Sequence, residues 1–312
     1  MSSTGAGDTV DELGEGAVLG RIFPRLPQSA STLLGPGDDA AVIAAPDGRF
    51  VVTTDLMVHG PDFRLAWSTP FDLGWKAAAT NLSDVAAMGA VPTALVVALA
   101  APADTPVSFH EGFADGMREA CAALAPGCGV VGGDLSVSDT LTIAVTAFGT
   151  LEGRPPVTRS GAHVGDVVAV AGALGAAAAG LRMLFENGLR DITPLRGWAE
   201  VEAQLQPRPP IAAGRAAAEA GATSMIDLSD GLALDAARVA AASGVAFAFD
   251  GLTEAELDGG EDHSLLATFA GEVPDGFRVV GSVVAGTGVL VDGRPYEVSG
   301  WDPFTGWDGG LS

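Results

Sequence analysis

Residues 69–101 read TPFDLGWKAAATNLSDVAAMGAVPTALVVALAA. Thr69 is a good N-cap, Pro70 suits the first helical position, and Asp72 favours the positive end of the helix dipole. The stretch therefore predicts a helix running to about Met88, with Gly89 as its C-cap. The apolar run 92–102 that follows is bounded by prolines and predicts a buried strand. Within the helix, Lys76, Thr80 and Asp84 recur at i, i+4 and i+8 on roughly one face, with Asn81 beside Asp84. Ala78, Leu82 and Val85 form a face suited to packing.

Helices and strands interleave outward from this unit. On the N-terminal side, 16–26 reads as a short helix ended by Pro24 or Pro27. The stretch 33–43 is a Gly-rich turn leading into a strand, and 49–55 is a strand ending on Asp55. On the C-terminal side, 108–124 is a helix, and 129–134 and 140–152 are strands. The Gly/Pro-rich segment GRPPVTRSGAHVGD (153–166) carries the expected domain boundary. Strands at 167–172, 223–230 and 245–250 then interleave with helices at 176–187, 211–220 and 232–243, before a strand-rich stretch, 261–298. The irregular alternation predicts an α/β (α+β) fold of two mixed-sheet domains, 1–152 and 153–312. No repeat of fixed period occurs.

Composition narrows the function classes. The 312 residues are 48% hydrophobic, enough for a sizeable core. Thirty-nine acidic residues stand against 16 basic ones, a net charge of −23. Such a surface repels phosphate backbones and anionic lipid, so nucleic-acid and membrane partners are disfavoured. Only one of the basic residues, Lys76, is a lysine. Cys121 and Cys128 form no CxxC pair, and two cysteines suit a reduced cytoplasmic protein. The acidic, Gly-rich N-terminus lacks the features of a secretory signal, and no apolar run makes a convincing membrane span.

Aspartates gather in Gly-rich turns or directly after apolar strands: Asp38 and Asp39, Asp55, Asp134, Asp227 and Asp230. Ligand sites of α/β sheets lie at such strand ends. Two like charges 4 Å apart repel by about 4 kcal/mol at an effective dielectric near 20. Clustered carboxylates with few basic neighbours, here Lys76 and Arg159, therefore call for hard divalent cations such as Mg²⁺. Two or more Mg²⁺ ions would bridge phosphates in an in-line transfer. The bland alternative is that each aspartate merely caps or turns the chain. No P-loop, strand–GxGxxG–helix unit, HExxH or GxSxG is present. GALGAAAAG (172–180) reads as a strand-to-helix turn with close packing, and the cysteines and four histidines as structural.

Taken in order, GPGDDAAVI (35–43), TTDLMVHGPDF (53–63), KAAATNLSDVAAMGA (76–90), GGDLS (132–136), TRSGAHVGD (158–166), IDLSDGLALD (226–235) and GGEDHSLL (259–266) resemble the thiamine-monophosphate kinases. These belong to the superfamily of aminoimidazole ribonucleotide synthetase and selenophosphate synthetase. The resemblance implies transfer of a phosphoryl group from ATP to thiamine monophosphate, several Mg²⁺ ions, and a homodimer whose N-terminal sheets join into a barrel. It implies metal binding by Asp39, Thr53, Thr54, Asp55, Asp84, Asp134, Asp227 and Asp230. Of these, Asp39, Asp55, Asp84, Asp134 and Asp227 carry catalysis. It places Gly133, Asp134, Arg159 and Ser229 at ATP, and Asp62, Glu261 and Trp301 at the substrate. The family often has His where Asp62 stands and Tyr where His263 stands. Two alternatives remain: a synthetase of the same superfamily, and a catalytically silent Mg–nucleotide-binding protein.

Overall fold

In chain order the helices and strands are α1 (Val10–Leu13), α2 (Glu15–Ile22), β1 (Thr32–Leu34), β2 (Val42–Ile43), β3 (Val51–Val58), α3 (Pro70–Ala87), β4 (Val91–Ala101), α4 (Val107–Leu124), β5 (Gly129–Val137), β6 (Thr142–Thr150), β7 (Val167–Ala171), α5 (Ala176–Asn187), α6 (Ala199–Leu205), α7 (Ile211–Glu219), β8 (Ala222–Leu228), α8 (Leu232–Ser243), β9 (Ala246–Phe249), α9 (Glu254–Asp258), β10 (Ser264–Phe269), β11 (Arg278–Val284), β12 (Gly288–Val291) and β13 (Arg294–Pro295). These come from a computed structural model that describes residues 9–13, 15–34, 41–188 and 190–298. Asp38, Asp39 and Trp301 lie outside the described residues.

Two larger sheets are present among the described residues. One has the order β3-β6-β4-β5, with β4 and β5 parallel and the other pairs antiparallel. The other has seven strands, β13-β12-β9-β11-β7-β10-β8, in which only β12 and β9 run parallel. Both are mixed, as the irregular alternation predicted.

The central helix, α3, begins as its sequence predicted. Thr69 Oγ1 accepts the Asp72 N–H at 3.2 Å, and Asp72 Oδ2 accepts the Thr69 N–H at 2.8 Å, a reciprocal cap. Gly89, at φ +71°, follows its end. Leu73, Leu82 and Val85 are almost wholly buried, each worth about 1.5–3 kcal/mol of transfer free energy. α3 crosses α4 backbone to backbone. A Cβ on Gly74 would lie 2.0 Å from the Phe113 carbonyl oxygen, and one on Gly116 2.0 Å from that of Phe71.

The segments on either side of α6 are fastened across the start of α3. Arg196 pairs with Asp72, Gln206 Nε2 donates to Asp72 Oδ1 at 2.6 Å, and Trp75 Nε1 donates to the Pro207 carbonyl at 2.7 Å. Burial opposes ionisation of Asp72, but these partners outweigh it and hold the carboxyl below the usual range. Of the two prolines expected to end the helix over 16–26, Pro24 does so: α2 stops at Ile22 and gives way to a 3₁₀ turn, Phe23–Arg25. Pro24 cannot donate the hydrogen bond that would continue an α-helix. GALGAAAAG is a packed turn, as read. The Asp262 carboxylate accepts N–H groups of Gly175 and Ala177, and Gly180 touches the backbone at Glu200.

Candidate active site

Along β3, side chains alternate between the two sheet faces. Thr53, Asp55 and buried Met57 turn toward α3, while Thr54 and exposed Leu56 turn away. Thr53 Oγ1 donates to Asp84 Oδ2 at 2.8 Å. The Asp55 N–H donates to Asn81 Oδ1 at 3.2 Å, and Asn81 Nδ2 donates to the Ala77 carbonyl at 2.9 Å. Asn81 therefore ties the strand to the helix beside both aspartates. The end of β8 brings in Asp227, whose Oδ2 lies 3.3 Å from Ser83 Oγ and 3.5 Å from His263 Nδ1.

The three carboxylates act on one another. Burial pushes Asp84 up to about 7, and the charges of Asp227 and Asp55 add to that. Burial also raises Asp55, with Asp227, Asp230 and Asp62 adding and His263 opposing. Among the described residues, no three His, Cys, Asp or Glu side chains converge as a ready-made metal cage. Thr53, Asp55, Asp84 and Asp227 offer only oxygen donors in a partly buried place that penalises their negative charge. That donor set fits Mg²⁺, which takes one or two carboxylates and completes its shell with water and substrate phosphate.

Two turns of helix away, the charge is balanced internally. Lys76 Nζ donates to Glu261 Oε1 at 2.7 Å, and Gln204 Nε2 donates to Glu261 Oε2 at 2.5 Å. The Lys76 side chain is 9% exposed and that of Glu261 34%. Burial disfavours the Glu261 anion, but Lys76 and Gln204 prevail and hold its carboxyl below the usual range. Asp62, whose Oδ2 accepts the Val58 N–H at 2.7 Å, is raised by burial, and the facing Glu261 adds to this. Glu261 and His263 both adopt positive φ, +66° and +51°, a conformation costing about 1–3 kcal/mol for a non-glycine residue. Their N–H groups bond the carbonyls of Ser229 and Leu228 at 2.8 and 3.0 Å. A buried, unpartnered Gln204 Oε1 adds a further cost of about 1–3 kcal/mol.

Several residues grouped by the sequence are not gathered with these. The sheet register aligns Asp55, Val145, Val97 and Gly133 in one row and Leu56, Ala144, Ala98 and Asp134 in the next. Asp134 therefore projects from the face opposite Asp55, as does Thr54, whose Oγ1 donates to the Val145 carbonyl at 2.9 Å. Sequence adjacency cannot carry a strand residue round the two-residue alternation. Asp230 is paired at 2.6 Å with Arg238, which Asp235 shares, and the Asp230 charge still reaches Asp55. Arg159 is exposed, and its carbonyl accepts from Ser243 Oγ. Ser229 touches the site through its carbonyl. Gly133 and Asp134 line a cavity of about 1090 Å³ between the β4–β5 edge, α2 and α4.

The family model described as AIR synthase related protein, N-terminal domain, matches residues 37–151. A thiamine-monophosphate kinase of Mycobacterium tuberculosis is 46% identical over 320 aligned positions, covering 96% of this chain and 92% of that protein. The chain belongs to the thiamine-monophosphate kinases. A solved thiamine-monophosphate kinase from Stenotrophomonas maltophilia superposes at a TM-score of 0.78 with 31% identity, covering 91% of this chain and 98% of that one. Another structure, AaThiL complexed with AMPPCP and TMP, superposes at 0.74 with 32% identity, covering 95% and 99%. The mixed α/β architecture of this chain is thus the thiamine-monophosphate kinase fold.

Within this kinase frame, three residues that sequence reasoning left out of the site stand out, the first being His263, read as structural but lying 3.5 Å from Asp227. Ser83 lies in the NLSD motif, one place before Asp84, and its spacing on α3 was a usable signal. Gln204 sits on the seven-residue α6, too short to show a period, and meets Glu261 from 57 positions away.

Proposed function

We propose that this chain transfers the γ-phosphoryl group of ATP directly to thiamine monophosphate, forming thiamine diphosphate and ADP. The observation that carries this reading is membership of the thiamine-monophosphate kinases across 96% of the chain. The bond from the γ-phosphorus to its bridging oxygen breaks. A new bond forms to a terminal phosphate oxygen of the acceptor, and ADP leaves with the bond's electron pair. The acceptor oxygen is already ionised at neutral pH, so no general base is required. Catalysis then rests on positioning and charge neutralisation.

Asp55, Asp84 and Asp227, with Asp39, are the side chains that would hold Mg²⁺, which neutralises phosphate charge when bound. Thr53 and Asn81 orient Asp84 and the strand beside it, and Ser83 and His263 orient Asp227. Gly133 and Asp134 give the nucleotide a boundary on the large cavity, and Arg159 supplies a guanidinium for phosphate. Asp62 and Glu261 give the cationic thiazolium an acidic setting, and Trp301 a ring to stack on.

The chain works as a cytoplasmic homodimer in this reading. On the open face of the four-stranded sheet, Val52 is 53% exposed and Leu56 58%, an apolar surface suited to pairing two sheets into a barrel. Residues 1–152 form the dimerising, nucleotide-binding domain, and 153–312 complete the site. Among the described residues, no helix is long and apolar enough to cross a membrane.

The test is purified protein with ATP and thiamine monophosphate, with Mg²⁺ or with EDTA, and thiamine diphosphate followed by chromatography. Mg²⁺-dependent product is the expected result. ATP binding without product would overturn the reading in favour of a silent nucleotide-binding protein.

A further inference from the structure

We propose that Gln204 and Lys76 are positioning residues for the phosphoryl acceptor, acting through Glu261. This rests on the kinase reading above, in which Glu261 faces thiamine monophosphate.

Several unfavourable features converge on one carboxylate. Glu261 holds a positive φ of +66°. Its Oε1 takes up the chain's single lysine, a residue seldom buried. Its Oε2 takes the Nε2 of Gln204, whose own Oε1 is left buried without a partner. A core built for stability alone would not retain this arrangement, since a buried ion pair is often no better than an apolar one of similar volume. The two anchors come from separate parts of the fold, Lys76 from α3 and Gln204 from α6. The Glu261 N–H is fixed to a third, the Ser229 carbonyl at the end of β8. Each carboxylate oxygen therefore has one assigned donor, and the lone pairs left over point in a fixed direction. The carboxylate so held would present an oriented anionic group to a cationic ring.

Gln204→Met keeps the length of the side chain and removes the hydrogen bond. In steady-state assays of the full-length protein, KM for thiamine monophosphate should rise about tenfold. KM for ATP and kcat should stay within about twofold, and the melting temperature should be nearly unchanged. In a Glu261→Ala background the same substitution should leave KM for the acceptor unchanged, because the two residues act as one unit. Gln204→Asn, which retains a donor, should recover part of the loss. An undiminished effect of Gln204→Met in the Glu261→Ala background would overturn the proposal, as would equal rises in both KM values. Wild-type protein that binds ATP but makes no thiamine diphosphate would instead overturn the kinase reading, and this inference with it. Wild-type turnover with an unaltered Gln204→Met would overturn this inference alone.

Discussion

At Lys76, α3 meets Glu261 with a full cation supplied by the chain; two turns later, at Asp84, it meets Asp55 and Asp227 with only the His263 imidazole, 3.5 Å from Asp227, set against them. The Glu261 carboxyl is held below its ordinary range, while Asp84 is pushed up to about 7. One helix thus meets a carboxylate that is complete as folded and a group of carboxylates that is electrostatically unfinished. The contrast separates their tasks. A built-in lysine fixes direction and cannot leave. A site with three carboxylates and only an imidazole beside them accepts a metal cation that arrives and departs with the nucleotide.

The sharpest way to break this contrast is to remove charge at the unfinished end. Asp84→Asn or Asp227→Asn should lower kcat by about 10²–10³-fold, the scale of losing one charge-stabilising group. Retained turnover in both variants would remove the cation-binding role from this cluster. Next comes the finished end. Lys76→Met leaves Glu261 without its cation, and urea denaturation should show a loss of about 3 kcal/mol, the low end for broken buried pairs because Glu261 is partly exposed. Adding Glu261→Gln should restore part of that stability, and a double variant no better than the single would contradict the pairing.

The two ends should also answer oppositely to pH. Asp84 has a folded pKa above its unfolded value of 3.8, so the folded state binds more protons between about pH 4 and 7. Its contribution to stability falls as pH rises through that window. Glu261 has a folded pKa below 4.5, so its contribution is present above pH 4.5 and is lost as pH falls below that. Thermal melts of metal-free protein should therefore show a few degrees less stability at pH 7.5 than Asp84→Asn shows, and Mg²⁺ should close the gap. A gap that is unchanged by Mg²⁺ would count against metal at this cluster.

The smallest effect discriminates the two faces of β3. Thr53→Val removes the donor to Asp84 and should cost about 1 kcal/mol of transition-state binding, roughly fivefold in kcat/KM. Thr54→Val, on the far face, should change kcat/KM by less than about twofold. Equal losses would mean that the register does not separate them.

Local chemistry made much of this legible in advance. The cap at Thr69 and Asp72, the Gly89 terminator and the apolar run after Pro92 each announce structure within a few residues. The i, i+4, i+8 spacing on α3 likewise placed Lys76 and Asp84 along one face before any contact was known. What stayed hidden depended on distance or on face. Glu261 reaches Lys76 across 185 positions, and nothing near either residue signals the other. Thr54 and Asp134 shared motifs with site residues, but a one-residue step on a strand turns the side chain to the other side. Asp230 resembled the other acidic residues until Arg238, one helix turn into α8 and beyond, proved to be its partner.

The placement of Lys76 has an analytical use. It is the chain's single lysine, its amine is engaged by Glu261, and its helix is buried. Acylating reagents need a free, deprotonated side-chain amine, so modification at Lys76 should proceed only when its pair with Glu261 parts. The rate of that modification, read by mass, would act as a clock for parting of this pair, with no label or reporter group introduced.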